Sequence, residues 1–162
     1  MIKQWLQALE ATPWGTAVRE STWMFPTVET IHVLALVLVV GSIMVVDLRL
    51  LNITSRERSV KELTDEMLPW TWIAFVCALI TGSLLFSSSA MRYTGIWQFD
   101  AKMCMLLLAA INMAVFHLGA FRSVDQWHHA PAKPPLAAKL AGGISLAIWV
   151  IVVGLGRWIG FV

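Results

Sequence analysis

The sequence predicts an all-α integral membrane protein, a four-helix bundle preceded by a short N-terminal interfacial helix. Of its 162 residues, 58% are hydrophobic and only 14% are charged, and a soluble domain of this length cannot hide so large an apolar fraction. Four long stretches carry no formal charge, and each reaches or nearly reaches the length of a bilayer span once its flanks are included. These stretches are residues 30–46, 67–91, 103–121 and 140–156.

The four uncharged stretches define the expected transmembrane helices. With their flanks, we place the spans at approximately residues 26–51, 67–91, 101–122 and 137–160. No internal repeat and no long polar segment divides the sequence, so we expect a single transmembrane domain over residues 1–162.

The segment before the first span has its own helical pattern. In IKQWLQALE, apolar residues recur at helical spacing beside Lys3, Gln4 and Glu10, which is typical of a short helix lying in the membrane interface. Thr12 followed by Pro13 predicts a second helix start, because proline fits the first helical position. No basic-then-apolar leader precedes residue 26, so we expect no removable signal peptide.

The basic residues predict the orientation in a bacterial inner (cytoplasmic) membrane. Seven Lys and Arg residues lie in the connections after the first and third spans, and five lie on the opposite side. By the positive-inside rule, both termini of this multi-pass chain face outward. The basic residues are scattered along the membrane edges rather than gathered in one patch, so we expect no nucleic-acid partner.

The first span carries ionisable groups at both of its ends. Seventeen uncharged positions separate Glu29 from Asp47, so a helix places the two carboxylates about 27 Å apart. Eighteen residues are also five whole turns, so Glu29 and Asp47 project in the same direction, with His32 about 60° away. One face of this helix is therefore polar at both membrane edges.

Four ionisable groups from three spans fall at the outer membrane level. They are Glu29 and His32 of the first span, Lys102 of the third and Arg157 of the fourth. An ionisable group inside a span costs a few kcal/mol on insertion scales, so each requires a structural or functional reason. We expect Glu29 and Arg157 to form a buried ion pair, and the four groups to make a site if they converge.

A weaker polar group falls at the inner level. Asp47, Arg49 and His117 share this level, and Asn112 lies deeper on the third span. We interpret Asp47 with Arg49 as a structural pair at the lipid headgroups, and Asn112 as an interhelical hydrogen-bond donor. His32 and His117 differ in depth by roughly 15 Å, so they should not clamp one haem iron between them.

The motifs of the first and third spans resemble those of a known family. The first span opens with His, contains a mid-span Gly and ends with Arg-Leu-Leu. The third span has Trp, Lys and a terminal aromatic-His pair. This pattern resembles the HemJ-type protoporphyrinogen oxidases and the related copper-resistance D-like four-span proteins. The residues that carry the resemblance are His32, Gly41, Arg49, Leu50, Leu51, Trp97, Lys102, Phe116 and His117.

This resemblance covers about half of the chain and implies a cofactor. It implies that the protein binds haem b, with His32 and Lys102 as the iron ligands and Trp97 near the cofactor. The chain also resembles an uncharacterised group of bacterial four-span membrane proteins with a Glu-x-x-His first span and a Gly-Arg near the C terminus. That second resemblance implies no activity.

Three functions follow as hypotheses. The first is a haem-b membrane protein in redox chemistry or electron transfer, an oxidoreductase if it is an enzyme, with Glu29 and Arg157 tuning the haem and Arg157 pairing with a propionate. The second is a cofactor-free permease or proton-conducting module, in which Glu29, His32, Asp47 and His117 form a polar path. The third is a structural subunit of a larger membrane complex.

The sequence also predicts partners and offers an alternative metal. Besides the lipid bilayer, we expect a homo-oligomer, since Gly156 and Gly160 have small-xxx-small spacing, and a quinone or other redox partner. Met103 and Met105 flank Cys104 beside Lys102, and sulfur ligands suit Cu(I). The two methionines cannot face one partner on a helix, however, so copper remains the minor alternative.

Overall fold

The computed structural model describes residues 1–127 and 133–161, without the side chain of Gln126. In these residues the chain is helical throughout, with short connections and no strand. The α-helices are α1 Ile2–Glu10, α2 Pro13–Glu20, α3 Met24–Leu50, α4 Val60–Ser88, α5 Ala90–Tyr93, α6 Trp97–Leu118, α7 Val124–Trp127 and α8 Leu136–Ile159, and a 3₁₀ helix, Ala120–Ser123, joins α6 to α7.

Four of these helices are long and apolar enough to cross a membrane. They are α3, α4, α6 and α8, and the shortest of them, α6, has 22 residues. At a rise of about 1.5 Å per residue, α6 is about 33 Å long, which exceeds the thickness of the hydrocarbon core. The expected all-α membrane bundle is confirmed.

Some helices begin or end at other residues than the expected spans, because the helix continues beyond the apolar run. Helix α4 begins at Val60 rather than near residue 67, because the hydroxyl of Ser59 accepts a hydrogen bond from the backbone N–H of Glu62 and caps a polar first turn. Helix α6 begins at Trp97 and ends at Leu118. Hydropathy locates the apolar run, whereas capping groups decide where a helix starts.

Two helices precede the first long helix, as the sequence predicted. Helix α1 covers IKQWLQALE, and its apolar side chains are largely exposed in the isolated chain. Helix α2 begins with Pro13, and the hydroxyl of Thr12 accepts a hydrogen bond from the backbone N–H of Gly15. The carboxylate of Glu10 accepts a hydrogen bond from the backbone N–H of Met91, which ties α1 to α5.

The long helices pack as two pairs. Helix α3 packs against α4, α6 packs against α8, and a contact between α3 and α8 joins the pairs. Halfway along the bundle is an apolar group, here called the middle cluster, formed by Val39, Ala74, Ile148, Trp149 and Val152. We call the end of the bundle near the start of α3 the His32 end, and the opposite end the Arg49 end.

Candidate functional site

The imidazole of His32 is held by a hydrogen bond to the neighbouring helix. Its Nδ1 lies 2.9 Å from the hydroxyl oxygen of Thr81 on α4, and that hydroxyl donates its one proton to the backbone carbonyl of Cys77 at 2.7 Å. The Thr81 oxygen must therefore accept from His32, so Nδ1 carries a proton. In the neutral imidazole, Nε2 then has a free lone pair.

The absence of a side chain at Gly82 lets His32 lie this close to α4. A Cβ atom added at Gly82 would be 3.0 Å from Cε1 of His32 and 3.5 Å from Nδ1. The first separation is shorter than ordinary van der Waals contact, so a larger residue would displace the ring by a few tenths of an ångström,. Gly82 and Thr81 together fix the position and the tautomer of the imidazole.

Lys102 occupies the matching place in the other helix pair. Its Nζ lies 3.5 Å from the position that a Cβ atom would take at Gly156 of α8, and the ammonium interacts electrostatically with His32. Among the residues that the structure describes, Lys102 has neither a hydrogen bond nor an ion pair. Each helix pair thus contributes one basic group and one glycine at the same level.

An aromatic cluster lies about one turn beyond this level. The rings of Phe86, Tyr93 and Phe99 stack on one another, with centroids 5.3 to 6.1 Å apart, and connect α4, α5 and α6. Burial raises the pKa of the Tyr93 phenol; Arg92 opposes this shift and the carboxylate of Glu29 adds to it. These three rings, with Thr81 and Gly82, are the site residues that sequence reasoning missed.

Three other residues proposed for the site are exposed. Glu29 and Arg157 are both exposed, and the guanidinium of Arg157 lies over the ring of Phe161, 4.7 Å from its centroid. The expected buried ion pair between Glu29 and Arg157 is therefore wrong: in the part of the chain that the structure describes, no ion pair includes either residue. Trp97, the first residue of α6, is 67% exposed.

At the Arg49 end, two charged residues of α3 are buried in different places. Asp47 is 6% exposed, and its carbonyl oxygen lies 3.1 Å from the position that a Cβ atom would take at Gly142 of α8. Arg49 is 0% exposed, and its Nε donates to the backbone carbonyl of Arg58 at 2.8 Å. The expected pairing of Asp47 with Arg49 is wrong, because residues two apart on a helix project to nearly opposite sides.

The remaining polar residues of the inner level make local or structural bonds. Nδ1 of His117 lies 2.9 Å from the carbonyl of Met113 on its own helix, and its ring contacts Phe116 and Phe121. The amide of Asn112 donates to the carbonyl of Ala141 at 3.0 Å. This bond joins α6 to α8, which confirms the interhelical hydrogen bond expected of Asn112.

The donor atoms at the His32 end fit a haem iron better than a multi-ligand metal site. In the described residues, no group of three His, Cys, Asp or Glu side chains could hold a metal ion. Histidine is a common protein ligand of haem iron, and the side chain of Lys102 offers a second nitrogen from the other helix pair. Met103 and Cys104 are exposed, whereas Met105 packs against the middle cluster.

Gly156 has a role inside the chain. Because its open side faces the Lys102 side chain, it contacts a residue of its own bundle. The expected oligomer seam at Gly156 and Gly160 would have to share that surface with Lys102. The homo-oligomer stays a prediction.

Comparison with known proteins places the chain in a family. No curated protein and no solved structure matches the chain, so the resemblance to the HemJ-type oxidases rests on the motif residues alone. The model of a family of unknown function, DUF6644, matches residues 20–162. That match includes α3, α4, α6 and α8, with all of the residues that surround His32 and Lys102. The chain therefore belongs to DUF6644, a family of unknown function.

Proposed function

We propose that this protein binds haem b in the membrane and has a redox or electron-transfer role, with His32 and Lys102 as the iron ligands. The observation that carries the proposal is the hydrogen bond from His32 to Thr81, which leaves Nε2 unprotonated. Histidines that bind metals commonly donate their other ring N–H in this way, because the bond fixes the tautomer and the ring orientation.

Lys102 supports the proposal as the second ligand. An amine binds iron only through the lone pair of its neutral form, and no carboxylate of the described residues holds the Lys102 ammonium in an ion pair. The side chain lies against the open face of Gly156, at the level of His32 on the other helix pair. A ligand from each pair would fix the position of a haem between them.

The chain would orient the haem and limit its access to water. A bound haem supplies one-electron chemistry, and the protein tunes it through ligand identity, hydrogen bonding and burial. Phe86, Tyr93 and Phe99 separate the ligands from the end of the bundle, and Arg157 is the proposed partner of a propionate. The proposed electron partner is a quinone or another redox carrier in the same membrane.

An absorption spectrum of the detergent-purified protein tests the haem. Protein from haem-replete cells, reduced with dithionite, should show sharp b-type bands. We expect His32→Ala to abolish these bands, and Lys102→Met to retain the haem with a shifted spectrum, because a thioether replaces the amine. His117→Ala is the matched control and should leave the spectrum unchanged. Colourless protein, or loss of the bands in His117→Ala alone, would overturn the assignment.

The geometry gives less support to a proton-conducting module. In α3, the middle cluster lies between His32 and Asp47, and its side chains come from three helices and are apolar. His117 is bonded to its own helix. Between the two ends, the hydroxyls of Ser42 and Thr71 bond each other at 2.7 Å, and this pair bonds neither His32 nor Asp47 in the described residues. Colourless protein in the spectral test would favour this hypothesis and the hypothesis of a structural subunit over the haem protein.

We further propose that both termini face outward in a bacterial inner membrane. The seven basic residues near the Arg49 end support this orientation. Cysteine at Glu57, an exposed position between α3 and α4, should be protected from impermeant thiol reagents in intact cells, whereas cysteine at Thr94 should react. Cys77 and Cys104 are replaced by alanine in both variants. The reverse labelling pattern would invert the topology and place His32 at the cytoplasmic edge.

A further inference from the structure

Arg49 is a fully buried cation, and most of its hydrogen-bond donors have no acceptor in the described residues. One guanidinium nitrogen, Nε, donates to the carbonyl of Arg58. The two terminal nitrogens, Nη1 and Nη2, are also buried and have no hydrogen-bond partner in the part of the chain that the structure describes. A buried guanidinium without partners is strongly unfavourable, because it has lost its hydration and gained nothing in exchange.

The carboxylates near Arg49 do not provide the missing partner. Asp47 lies where α8 approaches α3 at Gly142, and residues two apart on a helix project to nearly opposite sides. Glu66 pairs with the side chain of Arg58, and Asp125 pairs with Lys61. No carboxylate of the described residues reaches the two terminal nitrogens of Arg49. Among the described residues, no anion therefore balances the charge of Arg49.

We propose that Arg49 binds a phosphate group through Nη1 and Nη2, at a site covered by the nine-residue connection between α3 and α4. The two terminal nitrogens form a planar fork that matches two oxygens of a phosphate. This site lies at the opposite end of the bundle from His32 and Lys102, and it does not depend on the proposed haem.

The position of Arg49 argues for phosphate rather than for another oxyanion. Arg49 is the penultimate residue of a 27-residue apolar helix, so it lies where the hydrocarbon core ends and phospholipid phosphates begin. Arg56 and Arg58 in the connection add positive charge that attracts anionic groups. The source is either a phospholipid headgroup or soluble phosphate.

The connection controls access to the site. The carbonyl of Arg58 holds the connection onto the guanidinium, and the backbone N–H of Asn52 donates to the carbonyl of Arg49. Asn52 and Ser55 have positive φ angles of 62° and 53°, which are unusual for residues other than glycine. A phosphate reaches Nη1 and Nη2 when this segment moves aside, so binding should change the exposure of its backbone amides.

Thermal unfolding of the delipidated full-length protein in an uncharged detergent tests the site. Phosphatidylglycerol and inorganic phosphate are added separately, with diacylglycerol and sodium chloride as the matched additives without phosphate. We expect Tm to rise with at least one of the phosphate compounds and with neither control, because a ligand that binds only the folded state stabilises it. A rise with phosphatidylglycerol alone identifies a headgroup, and a rise with inorganic phosphate identifies a soluble ligand.

Two variants localise the effect. Arg49→Lys keeps the charge but loses the fork, and it should raise the half-saturating concentration by about tenfold, the ratio that one lost charge-assisted contact produces. Arg19→Lys, at an exposed position of α2 at the His32 end, should match the wild type. Unchanged Tm in the wild type, or equal half-saturating concentrations in Arg49→Lys and the wild type, would overturn the proposal.

Hydrogen exchange on the wild-type protein gives a test that does not depend on the folding of Arg49→Lys. Phosphate binding should change amide exchange in residues 51–59 and leave the connection at residues 94–96, at the other end, unchanged. A change at residues 94–96 without one at residues 51–59 would refute the assignment to Arg49.

Discussion

Ionisable residues lie in different surroundings at the two ends of the bundle, although one helix, α3, contributes residues to both ends. At the His32 end, Thr81 bonds the imidazole and Gly82 leaves room for it. At the Arg49 end, Asp47 and Arg49 are almost completely enclosed, and each keeps polar atoms without partners. At the first end the ionisable groups His32 and Lys102 are partly accessible, and at the second end Asp47 and Arg49 are buried.

The comparison shows that depth along a span does not decide what an ionisable residue does. Glu29 and Asp47 lie five turns apart on the same side of α3, yet Glu29 is exposed and Asp47 is buried. The difference comes from α8, which approaches α3 closely at Gly142, where an added Cβ would lie 3.1 Å from the carbonyl of Asp47. How closely two helices approach at a given level is a property of the helix pair.

The largest expected effect is at the close-packed end. Gly142→Val should destabilise the protein by about 1–3 kcal/mol, since it overpacks a contact formed by the carbonyl of Asp47 and Cβ of Leu50,. Gly41→Val is the control, because an added Cβ there meets no atom within 4 Å; it should stay within about 0.5 kcal/mol of the wild type. Unfolding titrations in mixed detergent measure both. Equal effects would contradict the difference in packing.

The matching substitution at the His32 end should affect the site more than the fold. In Gly82→Ala, the added Cβ meets the edge of a side chain, which can rotate, rather than backbone. We expect a loss of stability below about 1.5 kcal/mol but a clear loss of bound haem at unchanged helix content. Gly154→Ala, whose Cβ meets nothing within 4 Å, should keep the wild-type spectrum. Full haem occupancy in Gly82→Ala would show that the position of His32 does not matter.

A smaller effect is expected from the hydrogen bond that orients His32. Thr81→Val removes the acceptor of Nδ1 and should cost about 0.5–1.5 kcal/mol, the net value of one hydrogen bond. In ¹⁵N NMR spectra of haem-free protein, the Nδ1–H tautomer should dominate in the wild type and in Thr81→Ser, and lose its dominance in Thr81→Val. The same tautomer ratio in all three proteins would remove the physical basis for a free Nε2.

Much of the fold was predictable from the sequence because it depends on one-dimensional patterns. Uncharged runs located all four long helices, and the Thr12-Pro13 pair marked the start of α2. The start of α4 was missed, since its capped first turns are polar and lie outside the apolar run. Hydropathy is insensitive to such an extension.

The site was only partly predictable, because distances between helices do not appear in a sequence. Depth counting placed His32 and Lys102 at one level, and the structure has an electrostatic interaction between them. It could not show which way side chains turn, so Glu29 and Arg157 were paired wrongly. The Thr-Gly pair at Thr81 and Gly82, inside an apolar run, was the available signal for the missed partners: a hydroxyl and a missing side chain are both means of close contact between helices.

The smallest expected effect concerns Glu29 and Arg157. It tests directly whether charges at the His32 end are exposed or enclosed. Both side chains are exposed, and Arg157 lies over Phe161 instead of near a carboxylate. Glu29→Gln and Arg157→Gln should therefore be additive within about 0.3–0.5 kcal/mol in a double-mutant cycle. The same cycle on Arg58 and Glu66, which form an ion pair at the other end, is the positive control and should give a coupling of about 0.2–1 kcal/mol. A coupling between Glu29 and Arg157 larger than that of the control would mean that the two charges meet in the membrane-embedded protein, and the His32 end would then be as enclosed as the Arg49 end.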